Sequence, residues 1–335
     1  MFPDRPQPLK IGSLELADPL ILAPLSGISD LPFRLLAKEQ GCALVCTEMI
    51  SAEGLLRNQK ATEKLLQSCP EERPLAVQIF GSRPTSMSEA AKRVEDYGAN
   101  LLDINMGCPV RKVVRGGSGA ALLKDLDRAK EIIQWVRQAI SIPLTIKIRS
   151  GWNEESVNFL EVAKMAEECG VNALILHGRT RTQGYGVKAD WGAMARAKEH
   201  LRIPVIGNGD LTSPQAVLNF FHQTGCAGAM IGRGALGNPW IFRQALKMLQ
   251  GEPPQEPSLE EKESLILRHM GMTVAMGGEV RGLKEFRKHL IWYTRGLRGN
   301  AEFRSHIPEW NTVSELAGHI QDYFQKLREN ASLFS

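Results

Sequence analysis

The chain contains no Cys-x-x-Cys pair, no His pair at zinc-finger spacing and no apolar run approaching the ~18 residues of a membrane span. Each absence removes a class. Without metal-ligand spacing, the cysteines at 42, 46, 69, 108, 169 and 226 read as reduced thiols, and no metal is expected. Cys42 and Cys46 fall in the run Cys-Ala-Leu-Val-Cys, where a strand would hold them ~13 Å apart, too far for a disulfide. The opening residues Met1-Phe-Pro-Asp-Arg-Pro-Gln-Pro lack an apolar core of signal-peptide type, so a soluble cytoplasmic protein with no membrane partner is expected. A dominant charge sign is missing too. Lys and Arg number 41 against 37 Asp and Glu, so a surface for a polyanion must be local. Internal repeats and low-complexity segments are absent.

What is present is a succession of short apolar runs bounded by turn residues. They cover Pro19–Pro24, Cys42–Thr47, Leu75–Phe80, Asn100–Asn105, Pro143–Ile148, Asn172–His177, Ile203–Asn208 and Ala227–Gly232. Helical periodicity separates most of them, over Leu31–Gln40, Ser86–Tyr97, Leu126–Ile140, Ser156–Cys169, Trp191–His200 and Pro214–Gln223, and follows the last over Trp240–Leu249; the interval between Cys42 and Leu75 is less regular. Val, Ile and Leu on both faces of strands that alternate with helices indicate parallel pairing buried on both sides. Eight such units predict a (β/α)8 TIM barrel over residues 1–250, with a doubly wound open sheet as the competing arrangement. The Pro-rich segment Gln-Gly-Glu-Pro-Pro-Gln-Glu-Pro-Ser258 reads as a linker, and residues 255–335 read as a small C-terminal all-helical domain.

In such a barrel the active site lies at the C-terminal strand ends, and here those ends are polar: Pro24-Leu-Ser-Gly, Thr47-Glu48, Gln78, Asp103/Asn105 with Cys108, Lys147, His177, Asn208-Gly-Asp210 and Gly232-Arg233. Any one of them is explained by a turn or a cap; the whole set is not. Asn208-Gly-Asp and Gly232-Arg-Gly end the last two strands, where such barrels hold a phosphate on backbone N–H groups. Gly232-Arg-Gly-Ala-Leu-Gly237 also matches the Gly-x-Gly-x-x-Gly dinucleotide fingerprint, but no further strand follows. The match is read as accidental, and its glycines as room for a phosphate. Lys147 at an apolar strand end requires an anionic or electron-rich partner. With Gln78 and His177 it suits a flavin mononucleotide, while a sugar-phosphate aldolase with Lys147 as a Schiff-base lysine is the rival.

These blocks resemble the tRNA-dihydrouridine synthases: Ala23-Pro-Leu-Ser-Gly-Ile-Ser-Asp30, Val77-Gln-Ile-Phe-Gly81, Asp103-Ile-Asn-Met-Gly-Cys-Pro109, Gly116-Gly-Ser-Gly-Ala-Ala-Leu-Leu123, Lys147-Ile-Arg, His177-Gly-Arg-Thr180, Asn208-Gly-Asp210 and Met230-Ile-Gly-Arg233. The similarity runs in order along nearly the whole chain and is greatest to the bacterial B-type branch, through Arg287-Lys-His289 and Trp292-Tyr293. It implies reduction of uridine in the tRNA D-loop, with FMN as cofactor and NADPH as electron donor. By resemblance, Pro24, Leu25, Ser26, Gln78, Lys147, His177, Asn208, Gly209, Asp210, Gly232 and Arg233 contact FMN, Cys108 is the catalytic acid, and Asn105 contacts the uracil. Leu25-Ser26 departs from the Met-Ala common in the family, a change that main-chain contacts tolerate.

Saturating the C5=C6 bond requires a hydride at C6 and a proton at C5, the latter from an acid that is still protonated when it acts. Arg111, Lys112 and Arg115 would favour thiolate if they lay close to Cys108, so they are predicted to face RNA phosphates. Between 281 and 304 there are seven Lys/Arg and two Glu. Arg281, Lys284, Lys288, Arg295 and Arg298 recur at helical spacing, and Arg287, Lys288 and Arg179 join the expected tRNA contacts. A monomer away from tRNA is the working expectation. The competing enzyme reading is a small-molecule FMN oxidoreductase acting on a free pyrimidine.

Overall fold

The computed structural model describes residues 8–332. Eight parallel strands form the barrel: β1 Leu20–Leu22, β2 Val45–Cys46, β3 Leu75–Phe80, β4 Leu101–Met106, β5 Leu144–Arg149, β6 Ala173–His177, β7 Val205–Asn208 and β8 Gly228–Ile231. They pair in the order β1-β8-β7-β6-β5-β4-β3-β2. A parallel bridge between Ile21 and Leu44 returns the sheet to β1 and closes the ring. This is the TIM-barrel arrangement expected from the alternating apolar runs.

Helices start where the chain supplies caps. Asp30, Asp125, Asp190 and Ser213 each accept a hydrogen bond from the backbone N–H three residues on, and Pro32, Pro84 and Pro214 occupy first-turn positions whose N–H groups have no intrahelical partner. The helix Pro214–Thr224 stops at Gly225, whose φ of 58° is left-handed.

Two parts of the barrel differ from the expected pattern. A hairpin of Leu9–Ile11 and Leu14–Leu16 precedes β1, and each arm is too short to show periodicity. Its Leu9, Ile11 and Leu16 are buried with Ile21, Leu101, Ile175 and Ile206, sealing the barrel interior from below. The irregular interval before β3 holds a strand, Ile50–Ser51, paired to the outer end of β3, and two short helices, Ala52–Leu56 and Lys60–Glu63. A buried ion pair ties this interval down: Arg34 Nε donates to Glu72 Oε2 at 2.6 Å, and its other nitrogens reach the Ser29 and Gln67 carbonyls. With every guanidinium nitrogen directed at an acceptor, the desolvation of both charges is offset.

The C-terminal region is helical, over Leu259–Gly277, Glu279–Tyr293, Asn300–His306 and Val313–Ser332. Its core of Ile266, Leu283, Phe286, Leu290, Leu316, Ile320 and Phe324 also takes in Leu36 and Trp240 from the barrel side. Trp240 meets the Tyr293 ring edge-on at 6.3 Å and donates its indole N–H to Glu261. The exposed Pro-rich segment therefore joins two parts that share a core. Gly237 explains how closely they meet: its φ is +67°, and a Cβ there would lie 2.3 Å from the Trp292 carbonyl carbon.

Gly237→Ala forces both a left-handed alanine and a clash with backbone, so it is expected to destabilise the protein by about 1–3 kcal/mol. Thermal unfolding measures this; an unchanged midpoint would contradict the close docking of the helices on the loop after β8.

Candidate active site

Strand register sets which side chains meet. Gln78, Asp103 and Thr145 are successive in-register partners across β3, β4 and β5, and two residues further along Asn105 stands beside Lys147. Above them Arg149, His177 and Asn208 are in register across β5, β6 and β7. Because side chains repeat every two residues along a strand, these are consecutive layers on one face of the barrel wall.

The upper layers open into a cavity of about 320 Å³. All of the residues expected at the cofactor line it: Pro24, Leu25, Ser26, Gln78, Lys147, His177, Asn208, Gly209, Asp210, Gly232 and Arg233. Cys108 and Asn105 line it as well, with Met49, Arg149, Tyr185 and Thr212, which the sequence reading did not select. Arg149 was recoverable in principle, since it lies two positions after Lys147 on the same strand. Tyr185 sits in a loop and carries no periodic signal.

The cavity floor is a directed hydrogen-bond network. Thr145 Oγ1 donates to Asp103 Oδ1 at 2.6 Å, and Gln78 Nε2 donates to Asp103 Oδ2 at 2.6 Å. Asn105 Nδ2 donates to Gln78 Oε1 at 2.8 Å, while Asn105 Oδ1 accepts from the backbone N–H of Gly107 at 3.1 Å and of Cys108 at 2.9 Å. Burial pushes the Asp103 carboxyl up to about 6, against the bonds from Gln78 and Thr145 and the charge of Lys147.

Cys108 is half-buried on the loop after β4. Burial raises its thiol pKa, outweighing the Val110 backbone hydrogen bond and the charges of Arg149 and Lys147. Arg111, Lys112 and Arg115 are exposed on the next helix and are not among the groups acting on the sulfur. The site therefore favours a neutral thiol that can give up a proton.

Lys147 Nζ donates to Asn208 Oδ1 at 3.0 Å, and Asn208 Nδ2 donates to the Met230 carbonyl at 2.7 Å. Burial and the neighbouring Arg149 push the Lys147 ammonium down to about 8, with Asp103, Cys46 and Cys108 opposing. His177 is pushed to about 2, by burial first and then by Lys147, Arg149, Arg179 and Arg233. It is thus a neutral imidazole, and its buried Nδ1 has no hydrogen-bond partner among the described residues. A cavity with a barely compensated cation and an unpaired ring nitrogen is suited to an electron-rich or anionic ligand.

At the far rim Asp210 holds two arginines. Arg179 Nη2 reaches both Asp210 oxygens, at 2.7 and 2.8 Å, and Arg233 Nη2 reaches Oδ1 at 3.3 Å. Burial would raise the Asp210 pKa, but the Ala189 N–H and the two arginines hold it below its ordinary value. The Arg233 guanidinium lies 3.8 Å from the centroid of the Tyr185 ring. Gly209, at φ +130°, has no room for a Cβ, which would come 2.7 Å from Ala189. At Gly232 a Cβ would fit, in ordinary contact with Ala23 at 3.7 Å and Leu25 at 3.8 Å. Gly234 and Gly237 instead pack against protein backbone, so of the three glycines in the fingerprint only Gly232 leaves room at the cavity.

Three residues expected to contact tRNA are occupied within the protein. Arg179 is buried, with Nε on the Val187 carbonyl at 2.6 Å and Nη2 on Asp210, so it orders the 179–190 loop. Arg287 Nη2 donates to the Trp310 carbonyl at 2.7 Å and to Asn311 Oδ1 at 3.0 Å, joining its helix to the loop before Val313–Ser332. Lys288 Nζ donates to the Gly27 carbonyl, across from the helical region to the barrel rim. Helical spacing counts a cation as exposed; it does not register a carbonyl placed within reach. Lys284, Arg295 and Arg298 remain exposed.

A second cluster lies between the barrel and the helices. The ligating atoms of Asp30, His269 and His289 fall within 4.8 Å of one another. His269 Nδ1 contacts the Tyr293 hydroxyl at 3.0 Å, while its Nε2 and both nitrogens of His289 lack partners among the described residues. The Lys288 charge acts on all three groups and opposes a cation there.

Comparison with known proteins agrees with this arrangement. Residues 21–331 match the family model described as Dihydrouridine synthase (Dus). The chain is 38% identical over 321 residues to a probable tRNA-dihydrouridine synthase of Rickettsia bellii, covering 94% of this chain and 98% of that one. It is 37% identical over 325 residues to tRNA-dihydrouridine synthase B of Pseudomonas aeruginosa, covering 97% and 98%. Among solved structures, morphinone reductase in complex with tetrahydroNAD aligns at a TM-score of 0.54 and 13% identity over 76% of this chain and 92% of that one, a likeness of fold. With a family model matched from β1 into the last helix and relatives aligned over nearly their whole length, this chain belongs to the dihydrouridine synthase family.

Proposed function

We propose that the protein reduces the C5=C6 bond of D-loop uridine in tRNA, with FMN held in the barrel cavity and NADPH as the electron donor. The observation that carries this reading is Cys108, favoured as a neutral thiol at the mouth of a cavity that also holds Lys147, His177 and the cradle of residues 208–210 and 232–233. A tRNA substrate makes the cytoplasm the site of action. No helix among the described residues is long and apolar enough to cross a membrane.

The residues fit the cofactor at three points. The unpaired Nδ1 of His177 and the poorly compensated Lys147 ammonium can serve an electron-rich ring or a phosphate. Gly209 and Gly232, with no Cβ, leave backbone N–H groups open to a phosphate, with the Arg233 charge beside them. Leu25, Met49 and Met230 give the cavity apolar surface for a flat ring. Bound there, FMN supplies the hydride delivered to C6.

The chain supplies the rest. Cys108 gives its proton to C5 and, being half-exposed, can regain one from solvent. The second amide hydrogen of Asn105 is held only by a long contact to the Met49 sulfur at 3.9 Å, which the uracil edge can displace. A base inside a folded loop is reached only by turning it outward, at a few kcal/mol. The exposed Arg111, Lys112 and Arg115 on the rim beside Cys108 are placed to offset that cost through phosphate contacts. NADPH and uracil take turns at the same cavity.

Two measurements test this reading. In anaerobic stopped-flow experiments, unmodified tRNA is expected to reoxidise the reduced enzyme. Cys108→Ala should slow that step by roughly 10²–10⁴-fold while leaving reduction by NADPH within about twofold; equal slowing of both steps would remove Cys108 from proton delivery. FMN affinity for the apoprotein should also depend on pH through Lys147. A ligand that prefers the ammonium binds at constant affinity below about 8, where the lysine is already charged, and progressively more weakly above it. Lys147→Met should weaken binding at neutral pH and flatten the profile above 8; an unaltered profile would contradict the contact.

A further inference from the structure

Asp103 is 1% exposed and lies beneath the cavity without lining it, and the reaction outlined above makes no use of it. We propose that Asp103 is a positioning residue that anchors the lower end of the hydrogen-bond chain Gln78–Asn105–Cys108 and thereby places the proton donor. The proposal rests on the role assigned to Cys108 in the preceding section.

The argument turns on two kinds of partner. A Gln or Asn side-chain amide has nearly the same shape when its oxygen and nitrogen are exchanged, so packing alone does not choose its direction. Both ends of this chain are unambiguous. At the upper end the backbone N–H groups of Gly107 and Cys108 can only donate, so Asn105 must present Oδ1 to them, at 3.1 and 2.9 Å. At the lower end ionised Asp103 can only accept, so Gln78 must present Nε2 to it, at 2.6 Å. Between them Gln78 Oε1 receives Asn105 Nδ2 at 2.8 Å, the one pairing compatible with both ends.

Reversing Gln78 would set its NH2 against the NH2 of Asn105. Reversing Asn105 as well would set an NH2 against two backbone N–H groups. The two backbone N–H groups exclude a reversed Asn105 and the carboxylate excludes a reversed Gln78, while Thr145 Oγ1, donating at 2.6 Å, holds the carboxylate itself in place. The loop bearing Cys108 is thus secured through side chains to strands β3, β4 and β5, in addition to its own backbone. A displacement of about 1 Å at a reacting group can cost ~10²-fold in rate.

Asp103→Leu, which keeps the branching at Cγ but removes both acceptor oxygens, separates placement from general stability. In FMN-free protein, peptide-resolved alkylation of Cys108 by iodoacetamide across pH is expected to run at least threefold faster than in wild type, with the thiol pKa moved toward that of a free cysteine. In the loaded enzyme, reoxidation by tRNA is expected to fall roughly 10–100-fold, with reduction by NADPH at saturating cofactor within about twofold. Asp103→Asn, which can still accept from Gln78 while donating to Thr145, should recover most of the rate. If Asp103→Leu does not fold, Thr145→Val, which frees one carboxylate oxygen, should show the same alkylation change to a smaller degree. Wild-type alkylation of Cys108 in the foldable variants, or equal slowing of both half-reactions, would overturn the proposal. Failure of tRNA to reoxidise the wild-type enzyme would remove the functional reading instead, and the alkylation arm would still decide the role of Asp103.

Discussion

The barrel wall changes character at the level of Gln78, Asp103 and Thr145. Below it, Ile21, Leu44, Leu101, Ile175 and Ile206 meet the hairpin residues Leu9 and Ile11 in an apolar plug. Above it, the wall presents Asn105, Lys147, Arg149, His177 and Asn208 to the cavity, with apolar surface from Leu25, Met49 and Met230. A carboxylate at that boundary is tolerated because both of its oxygens accept short hydrogen bonds and a lysine stands one layer higher, at Lys147. Unpaired, it would cost several kcal/mol. The polar floor of the cavity and the placement of the Cys108 loop both follow from satisfying this one group.

The upper half of the site depends on a complementary constraint. Lys147, Arg149, Arg179 and Arg233 crowd one side of the cavity, and within the protein they meet chiefly carbonyls, Asn208 and the single carboxylate of Asp210. Burial, reinforced by this excess of positive charge, keeps His177 neutral. It also makes the cavity receptive to electron-rich and phosphorylated ligands, which is the property its proposed chemistry requires.

Much of this was legible in the sequence because it rests on periodicity. Parallel strands buried on both faces write themselves as apolar runs, and a polar residue closing such a run stands out; this is how Gln78, Lys147 and His177 were found. What was missed rests on contacts that periodicity does not encode. The hairpin arms Leu9–Ile11 and Leu14–Leu16 are too short to repeat, and Tyr185 reaches the cavity from a loop. The expected RNA contacts Arg179, Arg287 and Lys288 looked free only because their acceptors, at Asp210, Trp310 and Gly27, are distant in sequence. Gly237 matched a nucleotide fingerprint, yet it marks where the helical region presses on the barrel.

The central claim is that this cavity turns tRNA uridine into dihydrouridine through the Cys108 thiol. The most direct measurement is dihydrouridine mapping of tRNA from cells lacking this protein, complemented with wild type or with Cys108→Ala. The account predicts loss of dihydrouridine at defined D-loop positions, restored by wild type and not by the variant. Unchanged dihydrouridine in cells without the protein, or full restoration by Cys108→Ala, would contradict it.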